Sequence, residues 1–218
     1  MTLKYRHNIS GIEIGVDEVG RGPLFGPVVS AAVIIDETFD ITKVKDSKKF
    51  TSKKKLLEAY NYIIENAISY GTGFVSHDII DKINIRNATF KAMHIAIQNS
   101  ISNNFNSDYY LLIDGTDFKP YLKLIDNMYY NIPNICVKGG DNLYASIAAA
   151  SIIAKVERDR YIEDLCKEFP KLNECYNLGK NKGYGTKQHI DGITKYGITK
   201  YHRKSFNPCS NQSITYLL

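Results

Sequence analysis

The chain has 218 residues, 44% of them hydrophobic and 23% charged, with a net charge of +5. This is the composition of an ordinary globular protein, long enough to bury a core without staples. It excludes disordered, collagen-like and fibrous classes. The most apolar stretch, Ala145 to Ala154, is ten residues with two serines, too short to cross a bilayer. The N-terminus has no apolar core of the kind a signal peptide requires. Cys136, Cys166, Cys175 and Cys209 form no C-x-x-C pair, so neither a zinc ribbon nor a disulfide framework is expected. A reducing cytoplasm is the expected location, with no membrane partner. Nothing in the sequence calls for more than a monomer.

In chain order, Ile12, Ile14 and Val16 alternate with Glu13 and Gly15 and run into Asp17-Glu18, the pattern of a strand ending in carboxylates. Gly20 to Pro27 is a turn-rich loop, and Val28 to Ile35 is a second, buried strand. The spacing predicts a helix over Thr51 to Ala67, a strand over Gly71 to Val75 and a helix over Ala88 to Ile101. Short apolar strands follow at Tyr109 to Ile113, ahead of Asp114-Gly115, and at Ile135 to Val137. Leu143 to Arg160, small and apolar and then charged, predicts a helix packed closely on a sheet. After Phe169-Pro170 the chain turns polar, basic and tyrosine-rich. We read one domain over 1–218: an α/β core at 10–160, a C-terminal extension at 161–206 and a tail at 207–218.

Charge is unevenly spread. Lys43 to Lys55 holds seven basic residues against one aspartate, and so does Tyr176 to Phe206, leaving −7 for the rest of the chain. Basic segments beside an acidic remainder suit a polyanion held next to an acidic centre. Lys53 to Lys55 alone read better as a solvated face. The second segment interleaves Tyr176, Tyr184, Tyr196 and Tyr201 with its charges, and aromatic platforms among cations suit sugars, bases and phosphates.

Four acids stand out: Asp17 and Glu18 at the first strand's end, Asp114 at the end of the Tyr109–Ile113 strand, and Asp141 before the small-residue helix. Strand ends and helix starts are where an open α/β sheet gathers ligand groups. Carboxylates without a Cys or His cluster favour a hard cation such as Mg²⁺ or Mn²⁺. Three or four of them could hold two ions roughly 3.5–4 Å apart for in-line attack on a phosphodiester. Each has a plainer reading: a solvated strand end for Asp17-Glu18, a turn for Asp114-Gly115, an N-cap for Asp141.

Gly20-Arg21-Gly22 is not a dinucleotide fingerprint, because Phe25 stands where the third glycine belongs. The run Gly15-Val16-Asp17-Glu18-Val19-Gly20-Arg21-Gly22-Pro23-Leu24 resembles the N-terminal signature of the ribonuclease HII family. The likeness continues through Asp46-Ser47-Lys48-Lys49, Asn84-Ile85 with Ala88-Thr89, Asp114-Gly115, Asp141, Ser146 to Val156 with Arg158-Asp159, Lys182 to Thr186, and His202-Arg203. It spans residues 12 to 208. Lys200 departs from it, where a proline is expected ahead of the His-Arg pair.

The resemblance implies an RNase H-like α/β fold: a five-stranded mixed sheet flanked by helices, with a helical C-terminal extension. It implies an endonuclease that hydrolyses the RNA strand of RNA–DNA hybrids and cuts 5′ to ribonucleotides embedded in duplex DNA. The implied mechanism uses two Mg²⁺ or Mn²⁺ ions and leaves 5′-phosphate and 3′-hydroxyl ends. Asp17, Glu18, Asp114 and Asp141 would hold the metals. Gly20, Arg21 and Gly22 would contact the ribose 2′-hydroxyl, and Tyr184 would stack on the following deoxyribose. Lys48 and Lys49 are candidate phosphate contacts, with a solvated loop as the alternative. His189 and His202 suit structural or phosphate-contact roles. Gln212, Ile214, Tyr216, Leu217 and Leu218 faintly suggest a sliding-clamp peptide. Two other classes are open to this sequence: a non-catalytic hybrid-binding module, which the intact set of acids disfavours, and a DNA nuclease or transposase-like enzyme of the same fold, which the glycine loop and Tyr184 disfavour.

Overall fold

The structure, a computed structural model, describes residues 2–7, 11–101, 108–125 and 127–215. The chain divides into two compact units. The first comprises Met1–Val19, Val29–Phe74 and Phe90–Val156; the second comprises Gly20–Val28, Val75–Thr89 and Glu157–Leu218.

The first unit is built on a five-stranded sheet. Its strands are β1 (Ile12–Val19), β2 (Val28–Ile34), β3 (Ser69–Val75), β4 (Tyr109–Asp114) and, at one edge, Asn134–Val137. The order is β3-β2-β1-β4 and then the edge strand. β1 pairs antiparallel with β2 and parallel with β4, so the sheet is mixed. Between β4 and the edge strand lies a separate hairpin of β5 (Leu122–Ile125) and β6 (Met128–Asn131), which makes the edge strand β7.

Period-2 alternation sends successive side chains to opposite faces. Ile14 and Val16 of β1 and Leu111 and Ile113 of β4 join Phe90, Met93, Ala96 and Ile97 of helix α2 (His77–Ser100) in one buried layer. On the other face Ala31 and Val33 meet Ala59 and Ile63 of α1 (Lys53–Asn66) and the small residues of α3 (Ala145–Glu168). Gly15 allows α3 onto the sheet: a Cβ there would lie 2.3 Å from the Ser146 carbonyl carbon. The serines and alanines that open α3 complete this close approach.

The second unit packs α4 (Lys171–Tyr176), α5 (Leu178–Asn181) and α6 (Lys187–Tyr196) around Leu24, Phe25, Ile162, Tyr176, Leu178 and Ile193. Cys209 is buried in this cluster, and Ile214 forms a bridge with Ile198. Of the C-terminal residues suggesting a clamp peptide, Tyr216, Leu217 and Leu218 lie outside the described residues.

Some elements differ from the sequence reading. Helix α2 begins at His77, eleven residues before Ala88, and is broken at Asn84 (φ 64°, ψ 164°). There the Asn84 side chain accepts from the Asn87 N–H, starting a new helical segment. The first segment, 77–84, is too short for Ile79, Ile80 and Ile83 to stand out as a helical stripe. α3 runs on to Glu168 because its second half is an ordinary charged helix. The β5–β6 hairpin was missed because its strands are four residues each and β6 is exposed at every position. Among the described residues, no helix is long and apolar enough to cross a membrane. All four cysteines are free thiols.

Candidate active site

The acidic centre lies in the first unit and follows from register. The last parallel β1–β4 pair is Val16 opposite Ile113, so Asp17 and Asp114 come next on the two strands and share a face. That face also carries Gly15 and the start of α3. The third acid arrives on a 3₁₀ turn, Gly140–Asn142, entered through Gly139 in the left-handed region (φ 68°). The Gly140 N–H donates to Asp114 Oδ1 at 2.7 Å. The turn therefore seats Asp141 against Asp114, and carboxyl oxygens of Asp17, Asp114 and Asp141 all lie within 4.8 Å of one another. Asp141 is the middle residue of its turn and not the N-cap of α3, and Asp17 is buried; the plainer readings of both are set aside.

Glu18, the next residue along β1, is not one of these three, yet its charge reaches Asp17.

Three acids so close cannot all ionise easily. Burial first, then the charges of Glu18 and Asp114, push the Asp17 carboxyl well above the usual carboxylate range. Burial also raises Asp114, opposed by N–H donors from Gly140 and Asp141. Asp141 is raised by burial and by Asp114 and Asp46, with Lys48 opposing. The folded chain thus holds a concentrated negative site made only of oxygen donors. Such a site fits a hard divalent cation, whose charge would relieve the repulsion.

The Asp46–Lys49 segment serves this centre. Asp46 caps a 3₁₀ turn over Ser47–Lys49, accepting from the Lys48 N–H. Ser151 of α3 hydrogen-bonds the Asp17 carboxylate, and its hydroxyl lies 2.9 Å from that of Ser47. An ionised carboxylate only accepts. Ser151 therefore donates its one proton to Asp17, and Ser47 donates to Ser151. Lys48 Nζ lies 4.0 Å from Asp141 Oδ2 on an exposed side chain, and Lys49 Nζ donates to Asn142 Oδ1. Desolvation alone would lower Lys48, but Asp141, Asp46, Asp17 and Asp114 together raise it. Sequence reading missed the Ser47–Ser151 relay. Its trace was a serine recurring inside an otherwise apolar helical face.

In the second unit, the Gly20–Gly22 loop and Tyr184 lie side by side: a Cβ on Gly22 would sit 3.8 Å from Tyr184 Cε1. Tyr184 is 41% exposed. The other three tyrosines of the basic segment are less exposed. Tyr176 is buried and donates to the Gly197 carbonyl, and Tyr196 and Tyr201 pack against the unit's core. Only Tyr176 is lost as a platform, because its ring lies inside the cluster that the short helices enclose. Lys182 is also engaged, pairing with Glu163 at 2.8 Å.

Buried polar groups shape these loops. Arg158 donates to the carbonyls of Pro27, Lys182 and Phe25. The histidines form a chain whose tautomers are forced. The Thr199 N–H donates to His202 Nδ1, so His202 carries its proton on Nε2. That proton goes to His189 Nε2 at 3.1 Å, leaving His189 Nδ1 to donate to the Tyr184 carbonyl at 3.0 Å. Both rings are fully buried, and burial followed by the neighbouring histidines pulls His202 down to about 3. Both are thus neutral structural groups, the first of the two roles the sequence allowed, and His189 fixes the backbone of Tyr184.

The site thus sets carboxylates at the ends of adjacent parallel strands of a mixed sheet, met by an acid ahead of a close-packed helix. The ribonuclease HII family model matches residues 14–209. The ribonuclease HII of Rickettsia africae is 46% identical over 207 residues, 94% of this chain and 95% of that protein. That of Lactobacillus helveticus is 45% identical over 199 residues, 90% of this chain and 71% of that protein. Among solved structures, the ribonuclease H2 of Pyrococcus horikoshii aligns with TM-score 0.69 at 24% identity, over 92% of this chain and 96% of that one. The Mn²⁺ complex of Bst-RNase HIII aligns at 0.60 and 18% identity, over 87% and 71%; these two show the shared fold. The chain belongs to the ribonuclease HII family. It is accordingly a hydrolase that cleaves the RNA strand of RNA–DNA hybrids.

Proposed function

We propose that this enzyme also incises duplex DNA 5′ to embedded ribonucleotides, leaving 5′-phosphate and 3′-hydroxyl ends. The observation that carries the chemistry is the trio Asp17, Asp114 and Asp141, with oxygens within 4.8 Å and carboxyls raised by burial and mutual repulsion. With Glu18 adjoining, these residues would hold two Mg²⁺ or Mn²⁺ ions. Bound there, the ions would supply charge stabilisation at the scissile phosphate and a water made nucleophilic at neutral pH.

The protein's own part is positioning. Ser151 and the Glu18 N–H hold the Asp17 carboxylate, the latter at 2.6 Å. The Gly140 N–H holds that of Asp114. Lys48, exposed beside Asp141, offers a cation to the entering phosphodiester. Gly20, Arg21 and Gly22 present backbone to the ribose 2′-hydroxyl, the group that separates RNA from DNA. Tyr184, exposed beside Gly22, stacks on the next deoxyribose and so reads the junction. Exposed lysines of the two basic segments contact phosphates, making affinity fall steeply with salt.

The test is an end-labelled DNA duplex carrying one ribonucleotide, run beside all-DNA and continuous-hybrid controls with Mg²⁺, Mn²⁺ or EDTA. Metal-dependent cleavage just 5′ of the ribonucleotide is expected, and Asp114→Asn should abolish it while retaining duplex binding. Cleavage of the continuous hybrid alone would remove the roles given to the glycine loop and Tyr184. Wild-type rates from Asp114→Asn would remove the acidic centre.

A further inference from the structure

Arg203 is fully buried and belongs to the second unit. Its guanidinium donates to three carbonyls of one loop: Nη2 to Gly20 at 2.6 Å, Nη1 to Arg21 at 3.0 Å and Nε to Gly26 at 3.0 Å. The nearby Asp81 carboxylate accepts instead from the Lys204 and Ser205 N–H groups and the Ser205 hydroxyl. Keeping a cation dry without a bidentate acid is unfavourable, and a well-packed apolar side chain would fill the space more stably. What an apolar residue cannot provide is a rigid planar fork of donors.

That fork decides which way the loop's amides face. A peptide group is planar, with C=O and N–H on opposite sides. Carbonyls of Gly20 and Arg21 turned inward onto Arg203 turn the N–H groups of Arg21 and Gly22 away from it. Gly20 has φ +94°, open to glycine but not to ordinary residues. Successive N–H groups beside a residue of positive φ form a concave donor set. This one adjoins Tyr184, whose own carbonyl is tied down by His189.

We propose that Arg203 is the positioning residue for sugar discrimination: it aims the Arg21 and Gly22 amides at the ribose 2′-hydroxyl from behind, without touching substrate. The proposal rests on the reading of the Gly20–Gly22 loop given above. Lysine at this position would keep the charge but could not hold two adjacent carbonyls in one plane.

The experiment measures binding by fluorescence anisotropy in the non-cutting Asp114→Asn protein. One duplex carries a single ribonucleotide; the other is its all-DNA twin. Arg203→Lys and Gly22→Ala are compared on that background. An added Cβ on Gly22 meets only ordinary contact, so that variant should fold normally. The Asp114→Asn protein should prefer the ribonucleotide duplex, and Arg203→Lys should lose tenfold or more of that preference while all-DNA affinity and circular dichroism stay unchanged. A merely structural role would instead weaken both duplexes together. If Asp114→Asn shows no preference at all, the loop reading fails and takes the proposal with it. If Gly22→Ala abolishes the preference while Arg203→Lys keeps it, the loop reading stands and the role of Arg203 is overturned. Should Arg203→Lys not fold, Arg203→Gln on the same background decides: loss of the ribonucleotide preference at unchanged all-DNA affinity supports the proposal, and a kept preference overturns it.

Discussion

Asp17→Asn isolates what the acidic trio does to the fold from what it does for catalysis. At a separation of 4.8 Å and an effective dielectric of about 20, two like charges repel by about 3.5 kcal/mol. Asp17 enters such pairs with Asp114 and Asp141 and also feels Glu18. Asparagine preserves the shape and can still accept from Ser151 and the Glu18 N–H. It loses the charge-assisted part of those bonds, about 1–1.5 kcal/mol each. The wild-type group can also relieve itself by binding a proton, which caps the gain. A net stabilisation of about 2–3 kcal/mol in EDTA at pH 8 follows, about 5–10 °C in Tm for a chain of this size.

The sign with pH follows from the raised carboxyl. Between the ordinary carboxylate value and the higher folded one, the native state holds a proton that the unfolded chain has lost. Metal-free wild-type stability therefore falls as pH rises through that window. The advantage of Asp17→Asn should grow with pH and shrink towards the ordinary carboxylate range. Thermal unfolding at pH 5 and pH 8, with EDTA and then with Mn²⁺, reads all of this. Mn²⁺ should raise the wild-type Tm and leave the variant nearly unmoved. A variant less stable than wild type in EDTA at pH 8 would refute the picture of an electrostatically strained site.

Lys48→Gln removes the cation that opposes the raised carboxyls of Asp141 and Asp114. The pH midpoint of Mn²⁺ binding by calorimetry should move upward, and a fixed midpoint would detach Lys48 from the site. Gly15→Ala puts a Cβ 2.3–2.6 Å from Ser146 and Ile147. Forcing α3 off the sheet should destabilise by about 1–3 kcal/mol or more; urea unfolding with a loss below about 0.5 kcal/mol would show that the helix gives way freely. His202, held down to about 3, binds protons in the unfolded chain but not in the native one between that value and 6.5. Its contribution to stability is full above pH 6.5 and declines by roughly 3 kcal/mol by pH 4. His202→Gln should show a correspondingly flatter loss of urea stability over that range, and an unchanged slope would contradict the buried neutral pair.

Much of this protein was legible in one dimension. Alternation in Ile12–Val16 and the apolar run at Val28–Ile35 marked β1 and β2, because a half-buried or buried strand must carry that pattern. The acids were legible because strand ends and turn glycines punctuate the chain beside them, and the order of motifs pointed to the family. Less legible was anything that depends on partners far apart in sequence. No local pattern said that Asp17 and Asp114, nearly a hundred residues apart, would share a face; parallel register decided that. Nor did one separate Tyr184, exposed, from Tyr176, buried, since both stand among the same basic residues. Arg203 read as one more cation of a phosphate-binding segment, yet in the fold it is sealed inside and spent on three carbonyls 177 to 183 residues away. Sequence alone determined which groups are available and where the chain must turn, because those are local properties of residue type and period. Which charges meet, and which donors face a ligand, only the tertiary structure decided, because burial and hydrogen-bond direction arise when distant segments close on one another.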